Sequence, residues 1–315
     1  MFEPMLNKTE QTYFYIINYP AHEESLCKME MKYMFNIVPE NKYFFSNDYV
    51  EPSRSAFIKQ CISIIYTAAT LKDIIAQIVS NNLFYERYKV HYINIDEDIE
   101  FSKRRKIEYE VGFNIAGEAD MHNPEVLLGI TNINGTWYFG ELIENKAIWN
   151  KHNQKPYSYC NALNVRVARA LVNIAVGNDL KCRLIDPCCG IGTVVIEALS
   201  MNIDVTGYEI NSLIAENAKE NISFFGYKDT LINGDMHCIN EKYDSAIVDL
   251  PYGLFTPVTL DVQLAIIKTT RRIARKAVIV SLIDMEEHFL SAGFQIIDRC
   301  HVSKGTFKRF ITICS

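Results

Sequence analysis

The sequence predicts an α/β protein: a mostly parallel, doubly wound sheet that ends in an antiparallel hairpin and is preceded by an α+β region. Three observations carry this. From residue 183 onward, short apolar strands alternate with helical segments, the pattern that builds parallel sheets. The last two strand-like stretches, 294–302 and 306–314, are joined at Ser303, Lys304 and Gly305, a connection short enough only for a hairpin. Finally, all fourteen glycines fall at or after Gly112, so tight turns and close backbone approaches concentrate in the later part of the chain. At 315 residues, two or more domains are expected, because single cores rarely grow past roughly 250 residues.

In chain order, the first region reads as a strand over 12–19, a helix over 23–35, and strands over 43–49 and 56–66. A helix over 71–79 carries Ile74, Ile75 and Ile78 as its apolar stripe. A strand over 88–95 follows, then the acidic Asp96, Glu97 and Asp98, then a basic helix over 102–111. Strands over 126–131 and 136–140 form a hairpin around Asn132, Ile133, Asn134 and Gly135, Asn-Gly being a strong turn signal. Residues 144–158 are polar and charged and read as a linker. A helix over 162–176 ends at Gly177, a favourable residue just past a helix. The regular alternation comes next: strand 183–186, helix 193–200, strand 205–209, helix 213–224, strand 231–232, strand 246–248, helix 260–272 and strand 277–282.

Composition excludes several classes. The 49% apolar and 22% charged fractions are ordinary for a soluble globular protein. No apolar run approaches the roughly 20 residues of a membrane span, and the start lacks the features of a signal peptide. Nine cysteines, odd in number and without regular spacing or a CxxC pair, read as reduced thiols of a cytoplasmic protein without a metal site. The net charge of −6 argues against a general polyanion binder, and neither half of the chain, split at Lys155, is basic. Contact with nucleic acid then rests on local patches: Lys103, Arg104, Arg105 and Lys106; Arg271, Arg272, Arg275 and Lys276; and Lys304, Lys308 and Arg309.

The stretch from Leu184 to Thr193 follows a strand and opens a helix. Gly190 and Gly192 permit close approach of a ligand to the backbone, and the helix start offers unpaired N–H groups. Asp186 would repel a pyrophosphate and attract an ammonium, and Val195 stands where a dinucleotide fingerprint has its third glycine. Glu209, closing the next strand, suits two ribose hydroxyls, and Asp235, closing the third, suits an adenine amino group. Three acids at three successive strand ends describe a pocket for S-adenosylmethionine. Cys188 and Thr193 belong to the same loop. A fourth acid, Asp249, closes the fourth strand and is followed by Leu250, Pro251, Tyr252 and Gly253. A carboxylate and nearby carbonyls there can accept the hydrogens of a planar exocyclic amine and turn its lone pair outward, while the tyrosine stacks on the base. An ordinary strand-end turn would carry the same proline and glycine.

The Asp249 to Tyr252 stretch resembles motif IV of amino-directed nucleic-acid methyltransferases, usually Asp/Asn-Pro-Pro-Tyr, with Leu250 in place of the first proline. Together with Asp186 to Thr193 it resembles RNA methyltransferases of the guanine exocyclic amine. Gly117 to Glu125 and the hairpin to Gly140 look like the end of a THUMP domain, and Lys155 to Tyr157 with Leu163 to Ala170 look like the segment joining it to the methylase. The resemblance covers nearly the whole chain and is to THUMP-containing tRNA guanosine 2-amino methyltransferases. It implies a Rossmann-like class I methyltransferase domain over 161–315, a linker over 144–160, a THUMP-like RNA-binding domain over 67–143 and a ferredoxin-like domain over 1–66. It also implies that Asn164 approaches the methionine end of the cofactor, that tRNA is the substrate, and that the protein can act as a homodimer or with a small helper subunit. Competing readings are a DNA or protein amino-group methyltransferase and a non-catalytic cofactor-binding RNA-binding protein.

Of the remaining residues, Cys188 and Cys189 read as inert core residues, because a thiol nucleophile of cytosine methylation would belong at the fourth strand. His237 reads as a surface residue near Asp235, Trp137 as hairpin packing, Trp149 as packing or base stacking, and Phe255 as an aid in holding an extruded base.

Overall fold

A computed structural model describes residues 11–95, 99–159, 162–252, 258–304 and 307–315. The earlier elements are β1 (Tyr13–Ile17), α1 (Glu24–Phe35), β2 (Tyr43–Ser46), β3 (Ile58–Ala68), α2 (Leu71–Ser80), β4 (Phe84–Tyr92), α3 (Phe101–Gly112), β5 (Ala116–Ala119), β6 (Val126–Ile133) and β7 (Thr136–Glu144). The later ones are α4 (Val165–Val176), β8 (Leu184–Asp186), α5 (Thr193–Ser200), β9 (Val205–Glu209), α6 (Ser212–Phe224), β10 (Leu231–Asn233), β11 (Tyr243–Asp249), α7 (Leu260–Ile273), β12 (Ala274–Ser281), α8 (Glu286–Ser291), β13 (Ile296–Lys304) and β14 (Phe307–Cys314). The chain forms two compact units. The first holds the described residues up to Asn18 with Pro39–Ser53 and Ile58–Lys146, and the second holds Tyr19–Val38, Arg54–Phe57 and Ala147–Ser315.

The first unit is built on one seven-stranded sheet in the order β2-β1-β3-β7-β6-β4-β5. The long strand β3 is its spine, antiparallel to β1 through Cys61 opposite Tyr15 and to β7 through Ile62 opposite Leu142. One sheet thus draws strands from both the 1–66 and the 67–143 segments. Gly140 is required where β3 and β7 approach, since a Cβ there would lie 1.9 Å from the Ser63 carbonyl oxygen. The expected hairpin turn is present, with Asn134 and Gly135 both at positive φ as a two-residue primed turn demands. Thr70 caps α2 by accepting from the Asp73 amide, and α2 buries Ile74 and Ile78 on the sheet. Strand β4 starts at Phe84, four residues earlier than the apolar pattern suggests. Its exposed first half pairs with β5, which lacks buried side chains and gives no apolar signal.

The second unit carries a sheet in the order β10-β9-β8-β11-β12-β14-β13. The first five strands are parallel, and β14 and β13 close the edge antiparallel. The chain runs outward from β8 through β9 to β10 and in the other direction from β11 to β12. The switch point therefore lies between β8 and β11, at whose carboxyl ends ligands bind in open sheets of this kind. Helix α4 starts where Asn164 accepts from the Arg166 amide, 2.7 Å. Within 144–160, Ile148–Gln154 forms a 3-10 helix that buries Trp149 and His152. Trp149 packs with Ala56 and Val165. His152 meets Glu197 of α5 at 2.5 Å, and Glu197 accepts from Arg169 of α4 at 2.7 Å. This fully buried polar cluster ties three segments behind the sheet's ligand-binding edge.

Candidate active site

Strands β8, β9, β10 and β11 end at one edge of the second unit's sheet and bring Asp186, Glu209, Asp235 and Asp249 to the wall of one cavity of about 840 Å³. The size is ordinary for a cofactor-binding cleft. Asp186 is 4% exposed and accepts from the Cys188 amide at 3.3 Å. Burial, joined by the charges of Asp249 and Glu209, pushes its carboxyl well above the usual range. A buried acid among other acids is destabilised as an anion until a cation reaches it, so the pocket favours a ligand with a positive group. Glu209 orders the loop before α5: its Oε2 accepts from the Gly190 amide at 3.0 Å and its Oε1 from the Asn211 amide at 2.8 Å.

Gly190 (φ 53°) and Gly192 (φ 80°) hold left-handed conformations, which L side chains adopt only with strain. A Cβ at Gly190 would meet nothing within 4 Å, so the loop leaves open space for a ligand. The Thr193 hydroxyl, buried at the start of α5 and lining the cavity, has no hydrogen-bond partner among the described residues. The close helix-to-strand approach served by the third glycine of a dinucleotide fingerprint is met here by Gly207 of β9, where a Cβ would lie 2.9 Å from Val195. Asn221 of α6, fully buried, donates to the Ile191 and Tyr157 carbonyls at 3.0 Å and accepts from the Tyr157 amide at 2.9 Å. It fastens the loop and the 155–157 segment to one helix. Nothing in the sequence singled it out, save that it is an asparagine on the apolar face of a helix.

At the other side of the switch point, the Tyr252 hydroxyl donates to Asp249 Oδ1. Burial pushes the Asp249 carboxyl up to about 7, against the opposing pull of the Arg309 guanidinium. Leu250 is 1% exposed, and its amide donates to the Val280 carbonyl of β12 at 3.0 Å. A proline would lack that donor, so the leucine prolongs the sheet's hydrogen bonding by one residue. The Pro251 carbonyl accepts from Gln263 of α7 at 2.8 Å, a second support that the sequence did not signal.

Asp235 also lines the cavity, one of its oxygens accepting from the His237 amide at 2.8 Å. His237 is exposed on the cavity wall, 2.6 Å from the Thr269 hydroxyl. Cys188 lies 3.5 Å from Met236 Sδ, and burial pushes its thiol up, as it does that of Cys189. Both are inert as nucleophiles at neutral pH. Asn164 is not brought to the cavity: its exposed side chain is spent on capping α4, and Leu163 before it lines the wall instead. Arg309, grouped by sequence with a surface patch, stands with its guanidinium 5.8 Å from the centre of the Tyr252 ring. Lys308 beside it is exposed over Phe310. Lys103, Arg104, Arg105 and Lys106 lie on α3 of the first unit, where Arg105 pairs with Glu108 at 2.9 Å and Lys106 with Glu110 at 3.8 Å. Gly253, Phe255, the Asp96 to Asp98 stretch, Gly305 and the side chain of Lys304 lie outside the described residues. Among the described residues no cluster of His, Cys, Asp and Glu could hold a metal ion, and no helix is long and apolar enough to cross a membrane.

The comparisons with known proteins agree with this geometry. Residues 152–288 match the family described as UPF0020, RMKL-like, methyltransferase domain. The chain is 27% identical over 214 residues to the tRNA (guanine(10)-N2)-dimethyltransferase of Methanothermobacter thermautotrophicus, covering 64% of this chain and 62% of that protein. It is 33% identical over 117 residues to the enzyme of the same name from Pyrococcus abyssi, covering 35% of each. The chain thus spans less than two thirds of the length of these curated relatives. Among solved structures, that of SMU.472 in complex with SAH superposes with a TM-score of 0.50 at 14% identity, over 96% of this chain and 98% of that one. Sheet order, site placement and structural likeness together give the second unit the class I methyltransferase fold, and residues 152–288 are similar in sequence to its RMKL-like family.

Proposed function

We propose that the protein is an S-adenosylmethionine-dependent methyltransferase acting on the exocyclic 2-amino group of a guanosine in tRNA. The observation that carries the reading is the convergence of acids from four successive strand ends on one cavity, with Asp249, Leu250, Pro251 and Tyr252 forming its far wall. The residues present fit the cofactor. Asp186 offers a buried anion for its ammonium, Glu209 and Asp235 offer acceptors for ribose and adenine, and Gly190 and the unsatisfied Thr193 hydroxyl offer space and a polar contact. Bound there, S-adenosylmethionine supplies an electrophilic sulfonium methyl group. Asp249 and the Leu250 carbonyl accept the hydrogens of the 2-amino group, directing its lone pair into the cavity, while the Tyr252 ring stacks on the extruded base. Positioning supplies most of the rate enhancement in such a site. Guanosine in tRNA is favoured by the similarity to the two curated relatives, both named for that reaction. The first unit, with Lys103, Arg104, Arg105 and Lys106 on α3 and resembling a THUMP region in sequence, would contribute the RNA contact, together with Lys308.

The test is nucleoside mass spectrometry of unmodified tRNA incubated with the protein and S-adenosylmethionine, beside Asp249→Ala. A methylguanosine peak with the intact protein alone is expected. Equal peaks with Asp249→Ala would overturn the assignment, and transfer to DNA or protein in its place would move the substrate class.

A further inference from the structure

Tyr252 is held at three points, and only two belong to the strand-end turn. Its hydroxyl is on Asp249, its backbone follows Pro251, whose carbonyl is held by Gln263, and a guanidinium lies over its ring. That guanidinium comes from β14, which reaches the site because it is paired antiparallel to β12, with Ile311 opposite Val280 and Phe310 opposite Ser281. We propose that Arg309 is a positioning residue for the Asp249–Tyr252 pair: it occupies one face of the tyrosine, committing the other face to the base, and brings a fixed positive charge to that wall. The inference rests on the reading of this wall as the amine-accepting one.

The charges around Asp249 make the need concrete. Asp249 and Glu209 both raise the carboxyl of Asp186 at the end of β8, so the strand ends collect negative charge on one wall. Tyr252 on its own loop donates a hydrogen bond without adding charge. Arg309 is the cation that acts on Asp249 from β14, and the coupling is mutual, with Asp249 opposing the burial that lowers the guanidinium. An acid that titrates near neutrality accepts an amine hydrogen most strongly in its ionised form, so a nearby fixed cation shifts the pH at which the wall works. Arginine over an aromatic face also fixes the ring's tilt, which lysine does less well.

The experiment follows the Asp249 carboxyl directly by carbon NMR of protein labelled at aspartate, the resonance being assigned by its loss in Asp249→Asn. It is paired with the pH profile of kcat and with cofactor affinity. In Arg309→Met the carboxyl midpoint and the acidic limb of kcat are expected to move together to higher pH by about one unit, a tenfold loss of rate below the midpoint. S-adenosylmethionine affinity should hold. Arg309→Lys should restore the midpoint but leave KM for RNA raised, because the ring contact is not rebuilt. An unchanged Asp249 midpoint in Arg309→Met would overturn the inference, as would a loss of rate equal at every pH. Absence of methyl transfer by the unsubstituted protein, with the midpoint still moving in Arg309→Met, would instead count against the proposed reaction while leaving the electrostatic role standing.

Discussion

Replacing Leu250 by proline would bring the strand-end sequence closer to the motif it resembles, yet the structure predicts that it weakens this protein. The Leu250 amide donates to the Val280 carbonyl at 3.0 Å, and its side chain is 1% exposed in a core with Ile185, Met236, Ile266 and Ile279. Proline removes the donor and leaves a buried carbonyl short of its partner, a loss of about 1–3 kcal/mol. The smaller ring also gives up roughly one methylene-equivalent of burial, about 1 kcal/mol. A stiffer unfolded chain offsets about 0.4–1 kcal/mol. The net expectation is a destabilisation of roughly 1–3 kcal/mol. Leu250→Ala, which keeps the donor and loses the packing, should cost about 2–5 kcal/mol. Urea unfolding read by both fluorescence and circular dichroism measures each midpoint and slope. If Leu250→Pro matched or exceeded the unsubstituted protein in stability, the claim that this residue prolongs the β11–β12 hydrogen bonding would be refuted.

The other predictions concern the site and its support. Because burial raises the Asp249 carboxyl to about 7 from an unfolded value near 4, the folded state binds its proton more tightly, and stability falls as pH rises between those values. Asp249→Asn should therefore gain roughly 2–4 kcal/mol relative to the native protein at pH 8 and little at pH 4, while losing methyl transfer; a constant difference across that range in pH-dependent melts would contradict the assignment. Asp186→Asn and Gly190→Val should each weaken S-adenosylmethionine binding at least tenfold by calorimetry, the first through the lost anion and the second through a side chain placed in open ligand space. Glu197→Ala takes the carboxylate from both Arg169 and His152 inside the second unit and should cost about 3–5 kcal/mol, visible as a lowered melting temperature.

Much of the second unit was legible because its elements obey local rules. The alternation of apolar strands and helices, the glycine pair and the run of acids at strand ends are sequence-local features. A parallel sheet converts them into one edge with little freedom, since each strand must place its carboxyl end beside the last. The same logic failed in the first unit where pairing was nonlocal: β5 has no apolar pattern and exists because β4 offers it a ladder. It also failed for α8, a helix of six residues too short to show a period. Asn164 was expected at the cofactor and serves as a helix cap, an instance of a polar side chain meeting its nearest backbone demand first.

The sequence by itself determined which acids close which strands, that a glycine pair opens the helix after the first of them, and that Asp249 and Tyr252 belong to one turn. Residue order is enough for this, because those groups lie within one strand-turn unit each. Only the tertiary structure decided which distant side chains complete the wall. Gln263 on the Pro251 carbonyl, Asn221 under the glycine loop and Arg309 over Tyr252 come from other helices and strands, Gln263 lying 12 residues from Pro251 and Asn221 lying 30 from Ile191 of the loop. Their meeting depends on helix packing and on β14 returning antiparallel beside β12, and long-range pairing of that kind leaves no local trace in the order of the residues.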